Sequence, residues 1–219
     1  MSHLYTALIA LTCALSVLGC KDTRREQQAI EECAKALADG INTKNGEMVA
    51  SRLSQSTLSF YDRLLPIARK GTRAQVLALP SGERAEVIGM RYGMSKADLD
   101  KTTGRGWVVA GVTVGGFGVG ECARENLGRI EVDGDLAKAR VLINGESFVD
   151  TNDRPVCYEF VLEDGVWKLD ESSLFDAYSA WYEDEAAFNG REINTFLVDD
   201  VARSYGASPN MAVLDGLIR

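Results

Sequence analysis

The sequence predicts an α+β fold. Leading helices pack on a curved, roughly four-stranded antiparallel sheet of cone-like form, and a C-terminal helical extension follows. Three observations predict this. Apolar residues recur at helical spacing through the first hundred residues after an N-terminal apolar run. From Leu127 the period changes to two, with turn signals at Asp133-Gly134, Asn144-Gly145 and Asp164-Gly165. After Ser172 helical spacing returns. The chain has 219 residues, 46% hydrophobic and 26% charged, an ordinary globular composition with enough length for one good-sized core or two small ones.

Residues 4–18 form an uncharged, mostly apolar run closed by Gly19-Cys20, after which Lys21, Asp22, Thr23, Arg24 and Arg25 turn abruptly polar. The run is short for a membrane span, which needs roughly 20 residues, but fits a secretory leader. Val17-Leu18-Gly19-Cys20 resembles the lipobox of a bacterial lipoprotein signal, although the short stretch before the run holds no Lys or Arg. A plain signal peptide and a buried helix are the competing readings. The resemblance implies cleavage before Cys20 and lipidation of its sulfur and new amino group. Residues 1–19 are then the signal peptide and 20–25 a lipid-anchored tether, ahead of a domain over 26–190 and an extension over 191–219. A buried CH₂ contributes about 0.8 kcal/mol and one acyl chain holds only marginally, so several chains are needed for a stable anchor. Lys21 after the lipidated position points to the periplasmic face of the outer membrane in the bacterial cell envelope.

The helices follow in order. Residues 25–39 are amphipathic, with Gly40 expected as the C-cap; a second helix follows Asn45. Residues 56–70 form a third, which Pro66 should kink or restart. Residues 73–79 are short and apolar. Ser81 is placed to cap a helix running to Tyr92 and stopped by Gly93, and Ser95 to Asp98 reads as a capping box. Seven of the seventeen residues 104–120 are glycine. This stretch is too short for a membrane span and lacks phosphate-loop spacing, and for 106–114 helix and strand remain open.

In the strand region, pairing across Asp133-Gly134 sets Ile130 opposite Ala137 and Gly128 opposite Ala139. Across Asp164-Gly165, Leu162 faces Trp167 and Phe160 faces Leu169. With Tyr158 these make one greasy sheet face that needs a helical cover, while Glu131 and Glu159 fall on the wet face. Ser173 opens a helix with the stripe Leu174, Tyr178, Trp181, Phe188. Ile193, Phe196, Leu197 and Val201 mark another, and Ser208-Pro209 opens a last short one with Met211, Leu214 and Ile218.

Charge and rare residues exclude some functions. The only histidine, His3, lies in the leader, so the mature chain cannot run Ser-His-Asp or Cys-His chemistry or build a His-ligated zinc site. The sequence therefore calls for no metal and no cofactor. Residues 163–200 hold 11 acids against 2 bases, which argues against nucleic acid, whereas 21–105 hold 15 bases against 11 acids. Cys33, in the stripe Ile30, Cys33, Leu37, Ile41, reads as a core residue. Cys122 and Cys157 remain as the favoured pair among three possible disulfides.

Residues 128–170, with the hairpin Glu163-Asp164-Gly165-Val166-Trp167-Lys168, resemble the sheet of the nuclear transport factor 2-like superfamily. That resemblance implies a cone-shaped pocket, here lined by Tyr158, Phe160, Leu162, Trp167 and Leu169. It also implies either isomerase- or dehydratase-like chemistry or no activity at all. Catalysis would need an Asp or Tyr in the cone; Tyr158, Tyr61 and Tyr92 are candidates, none with an inward carboxylate placed beside it. The sequence thus favours a non-catalytic, membrane-tethered module that binds an apolar small molecule or an envelope protein. An exposed Trp181 or Tyr182 beside acids would favour the protein partner.

Overall fold

The computed structural model describes residues 23–116, 125–149, 155–172 and 174–216. The leader, Cys20, residues 117–120, Cys122, Ser173 and Ile218 lie outside the described residues. Among those described, nine α-helices and a five-stranded open antiparallel sheet make an α+β fold. Seven helices precede the sheet: α1 (Thr23–Asn42), α2 (Gly46–Arg52), α3 (Gln55–Lys70), α4 (Arg73–Leu77), α5 (Ser81–Gly93), α6 (Lys96–Leu99) and α7 (Gly104–Val114). The strands are β1 (Glu125–Asp133), β2 (Leu136–Ile143), β3 (Glu146–Ser147), β4 (Cys157–Glu163) and β5 (Val166–Asp170). Then come α8 (Leu174–Phe188), α9 (Ile193–Ser204) and a 3₁₀ turn (Met211–Leu214).

Several boundaries differ from expectation for steric reasons. α1 runs through Gly40 rather than stopping there. Gly40 is buried, and a Cβ on it would come within 2.7 Å of the Val49 side chain, so the glycine serves the close approach of α2. α3 continues through Pro66, its start capped by Ser54, whose Oγ accepts from Thr57 N at 3.0 Å. Ser81 does not cap α5. Its Oγ instead donates to Ser179 O at 2.9 Å, and Ser179 Oγ accepts from Gly82 N at 2.9 Å, so α8 satisfies the first turn of α5. Residues 104–114 are helical, capped by Thr103 and ended by Gly115 in the left-handed conformation (φ 81°).

The sheet order is β1-β2-β4-β5, with β3 pairing β2. The β4–β5 register is the expected one, Leu162 opposite Trp167 and Phe160 opposite Leu169, around a turn with positive φ at Asp164 and Gly165. The β1–β2 register is corrected: Ile130 faces Ala139 and Val132 faces Ala137. The turn residues are Gly134 and Asp135, one position later than the Asp133-Gly134 signal suggested. Moving one turn residue shifts the pairing by two, so every side chain keeps its face. Between Leu127 and Ile130 β1 carries a bulge at Gly128 and Arg129.

α1 lies against β1 and β5, and the greasy sheet face is covered. Trp167 Nε1 donates to Glu26 at 2.5 Å, and Gln27 Nε2 donates to the Ile130 carbonyl at 3.0 Å. On the wet face, Lys138 pairs with Glu159 at 2.7 Å. α5 is the hub of the helical side: α3, α7, α8, α9 and the 3₁₀ turn all pack on it. The C-terminal elements share the main core through Leu197, Val198, Ala202, Val213 and Leu214.

Arg91, on α5, is fully buried with no acid among the described residues in hydrogen-bonding contact. Its Nε donates to Ala68 O at 3.0 Å and its Nη2 to Ile67 O at 3.0 Å and Gly71 O at 2.7 Å, while Nη1 donates to Val213 O at 2.7 Å. The C-terminal carbonyls of α3 therefore receive the cation that a helix end favours. Burial pulls the Arg91 pKa below the usual arginine value, opposed by the more distant Asp215. Replacing Arg91 with Met should strand these carbonyls and lower unfolding stability by about 3 kcal/mol in urea titrations, with Arg91→Lys recovering only part. A loss under about 1 kcal/mol would contradict this role.

Candidate functional site

Three regions come into question: the sheet face the sequence singled out, a carboxyl among aromatic rings between the helices, and the outer face of α8. On the sheet face, Phe160, Trp167 and Leu169 are buried in the main core, and Tyr158 and Leu162 pack against it half-buried. A groove of about 500 Å³ lies instead at the β1 edge, walled by Thr23, Gln27 and Glu31 of α1 and by the bulged stretch Gly128, Arg129, Ile130, Glu131 and Val132. Cys33 is a buried core thiol, its pKa raised by burial to about 11. Cys157 is half-exposed at the start of β4, and its expected partner Cys122 lies outside the described residues.

The tyrosines named from sequence play different parts. Tyr92 Oη accepts from Asn210 N at 2.8 Å and lies 3.3 Å from Asn210 O, so it fastens the C-terminal segment. Tyr61 is buried on α3 and donates to Glu171 Oε2 at 3.4 Å; burial first, then Glu86 and Glu171, push its pKa well above the usual value. An inward carboxyl beside a tyrosine is therefore present, contrary to expectation. It comes from Glu171, just past β5, and from Glu86 on α5.

Glu86 had no distinguishing mark in the sequence, because a single acid in a helix usually faces water. Here α5 is surrounded, and Glu86 is half-buried. Desolvation raises its pKa from 4.5 to about 7, with Glu171 adding repulsion and Trp107 pulling it down. The buried Trp107 Nε1 is near enough to act on Glu86, yet it makes no hydrogen bond of normal geometry. The Trp107 ring stacks near Tyr205, centroids 6.3 Å apart, and Tyr205 lies over Gly89 and Gly93 of α5. Burial and then Glu86 raise the Tyr205 pKa. This cluster can hold a proton near neutral pH.

α8 departs from its predicted stripe. Its buried side carries Phe175, which stacks on Phe60 with centroids 3.6 Å apart, and Ala186, with Tyr178 and Tyr182 half-buried. Leu174 is buried, but Trp181 is 39% and Phe188 89% exposed. Seven residues apart, these two project on the same side of the helix, with Asp184 and Glu185 flanking the line between them.

Searches of family models, of curated proteins and of solved structures find nothing that matches this chain.

The Glu86 environment has a pH signature. A carboxyl whose folded pKa lies near 7 against 4.5 binds more protons folded than unfolded between those values. Its contribution is therefore fully present below pH 4.5 and lost as pH rises through 7. The unfolding free energy of wild type, from denaturant titrations, should fall over this window relative to Glu86→Gln, by on the order of 2 kcal/mol after discounting for partial solvent access. Parallel pH profiles for the two proteins would contradict the assignment.

Proposed function

We propose that this chain is a non-catalytic envelope protein, lipid-anchored through Cys20, that binds another protein through the outer face of α8. The observation that carries this reading is the 39% and 89% exposure of Trp181 and Phe188 on a helix where Asp184 and Glu185 flank them. Large apolar rings left in water and rimmed by polar groups mark interaction surfaces, and aromatics are enriched at interface centres. The packing of Phe160, Trp167 and Leu169 into the core supports a protein partner over an apolar small molecule. The apolar run ending at Gly19-Cys20 supports the tether. Helices followed by an antiparallel meander also suit the relation to the nuclear transport factor 2-like superfamily.

A second reading, isomerase- or dehydratase-like acid–base chemistry, is favoured by one observation: the Glu86 carboxyl sits beside Trp107 and within electrostatic reach of Tyr61, Glu171 and Tyr205.

In-cell photo-cross-linking tests the main reading. A benzophenone amino acid at position 188 should give a discrete adduct, while the same group at the exposed Leu136 on the sheet should not. Cys20→Ala should move the protein from the membrane to the soluble fraction and abolish the adduct. Membrane retention of Cys20→Ala, or equal labelling from both positions, contradicts the proposal.

A further inference from the structure

The electrostatics around Trp181 and Phe188 specify the partner more closely. α8 has no basic residue in its last turn, where a helix carries partial negative charge and a cation is favoured. Asp184 and Glu185 instead place two acids near that end. The nearest arginine in sequence, Arg191, does not compensate: its guanidinium pairs with Asp199 and lies over the Phe196 ring, 5.5 Å from the centroid. Glu185 also repels Asp200 across the α8–α9 junction, although burial is the main cause raising the Asp200 pKa. Negative charge is thus concentrated around exposed apolar rings, with no cation paired to Asp184 or Glu185 among the described residues.

The apolar surface has a helical shape. Ala177, Trp181 and Phe188 are exposed and run along one side of α8 for about 16 Å, roughly three helical turns, with Asp184 beside this line and the exposed Ala180 and Ala187 just beyond it. Small alanines beside large rings make a ridge-and-groove surface of the kind a second helix fits. The same acids disfavour two other occupants. A second α8 would bring like charges together, and an anionic lipid surface would repel them.

We infer that the Ala177–Phe188 face of α8 docks a cationic amphipathic helix of a partner protein, its apolar side on Trp181 and Phe188 and its Lys or Arg residues on Asp184, Glu185 and the helix C-terminus. This rests on the docking reading above and names the chemistry of the partner. Such a contact is small, so it is a reversible one whose energy concentrates in the two rings. Its salt dependence comes from the acids.

The test uses the full mature chain and a synthetic helical peptide with Leu along one face and Lys flanking it. Controls are a scrambled peptide of the same composition, a version with Glu in place of Lys, and anionic phospholipid vesicles. Fluorescence anisotropy of the labelled peptide reads binding. The emission of Trp181 reads location, since Trp107 and Trp167 are buried. The Lys peptide should bind and shift the emission to the blue; the scrambled and Glu peptides should bind at least about 10-fold more weakly. Phe188→Ser, at a ring 89% exposed and so not expected to disturb folding, and Trp181→Ala, which also removes the 4.9 Å ring contact with Tyr182 and is checked for unchanged circular dichroism, should each weaken binding about 10-fold. Asp184→Asn with Glu185→Gln should remove most of the salt dependence. Equal binding of the scrambled peptide, insensitivity to Phe188→Ser, preference for vesicles, or a position-188 cross-link that stays within the chain overturns the inference. If position 188 cross-links a partner in cells while the Lys peptide fails, protein docking stands and the cationic assignment falls. If the peptide binds and no partner is cross-linked, the surface chemistry stands and the envelope-docking role falls.

Discussion

A buried guanidinium with only carbonyl partners constrains the rest of this structure. Desolvating Arg91 costs several kcal/mol, and this is offset only when the end of α3, the last turn of α5 and the Val213 carbonyl are assembled around it. None of those three pieces can satisfy it alone. The 3₁₀ turn is therefore part of the helical core, a conclusion strengthened by Tyr92, which takes the Asn210 amide. With α5 held this way, α8 and α9 pack on its remaining sides, and α8 is presented with a fixed buried face and a fixed wet one.

The sheet side obeys a different constraint. A one-sided antiparallel sheet must be covered, and α1 with the start of α3 does the covering. Ser54 N donates to Leu169 O at 2.8 Å and Gln55 N to Glu163 Oε1 at 2.9 Å, so α3 begins docked on the β5 edge. These contacts bring helices and sheet together and commit Phe160, Trp167 and Leu169 to packing. The candidate sites consequently lie away from that packed cluster: in the groove between α1 and β1, at Glu86 between the helices, and along α8.

Much of the fold was legible because its signals are local. The Asp164-Gly165 turn, the alternation in β2 and β5, and the helix starts after Asn45 and Ser95 depend on neighbours in sequence, and they match the structure. What escaped were effects set by distant chain. Gly40 looked like a terminator because nothing local reveals Val49 against it. Ser81 looked like a cap because Ser179 lies 98 residues away. The β1 register slipped because the signal Asp133-Gly134 is satisfied by a turn one residue later. The site was harder still. Leu174, Tyr178, Trp181 and Phe188 recur at helical spacing, but periodicity does not say which apolar side a neighbour covers, and the aromatic residues at 175 and 182 compete for it. Glu86 gave no sign, since its raised pKa depends on burial among the helices around α5 and, secondarily, on the distant Glu171.

Hydrogen exchange of the native protein, resolved by mass spectrometry, tests most directly whether the Arg91-centred assembly behaves as one unit. Amides of α9 and the 3₁₀ turn are predicted to open with α5 at a common free energy, close to that of global unfolding. If residues 193–216 instead exchange at a distinctly lower free energy while α5 stays protected, they form a separable tail, and the placement of Arg91 at the centre of the structure is wrong.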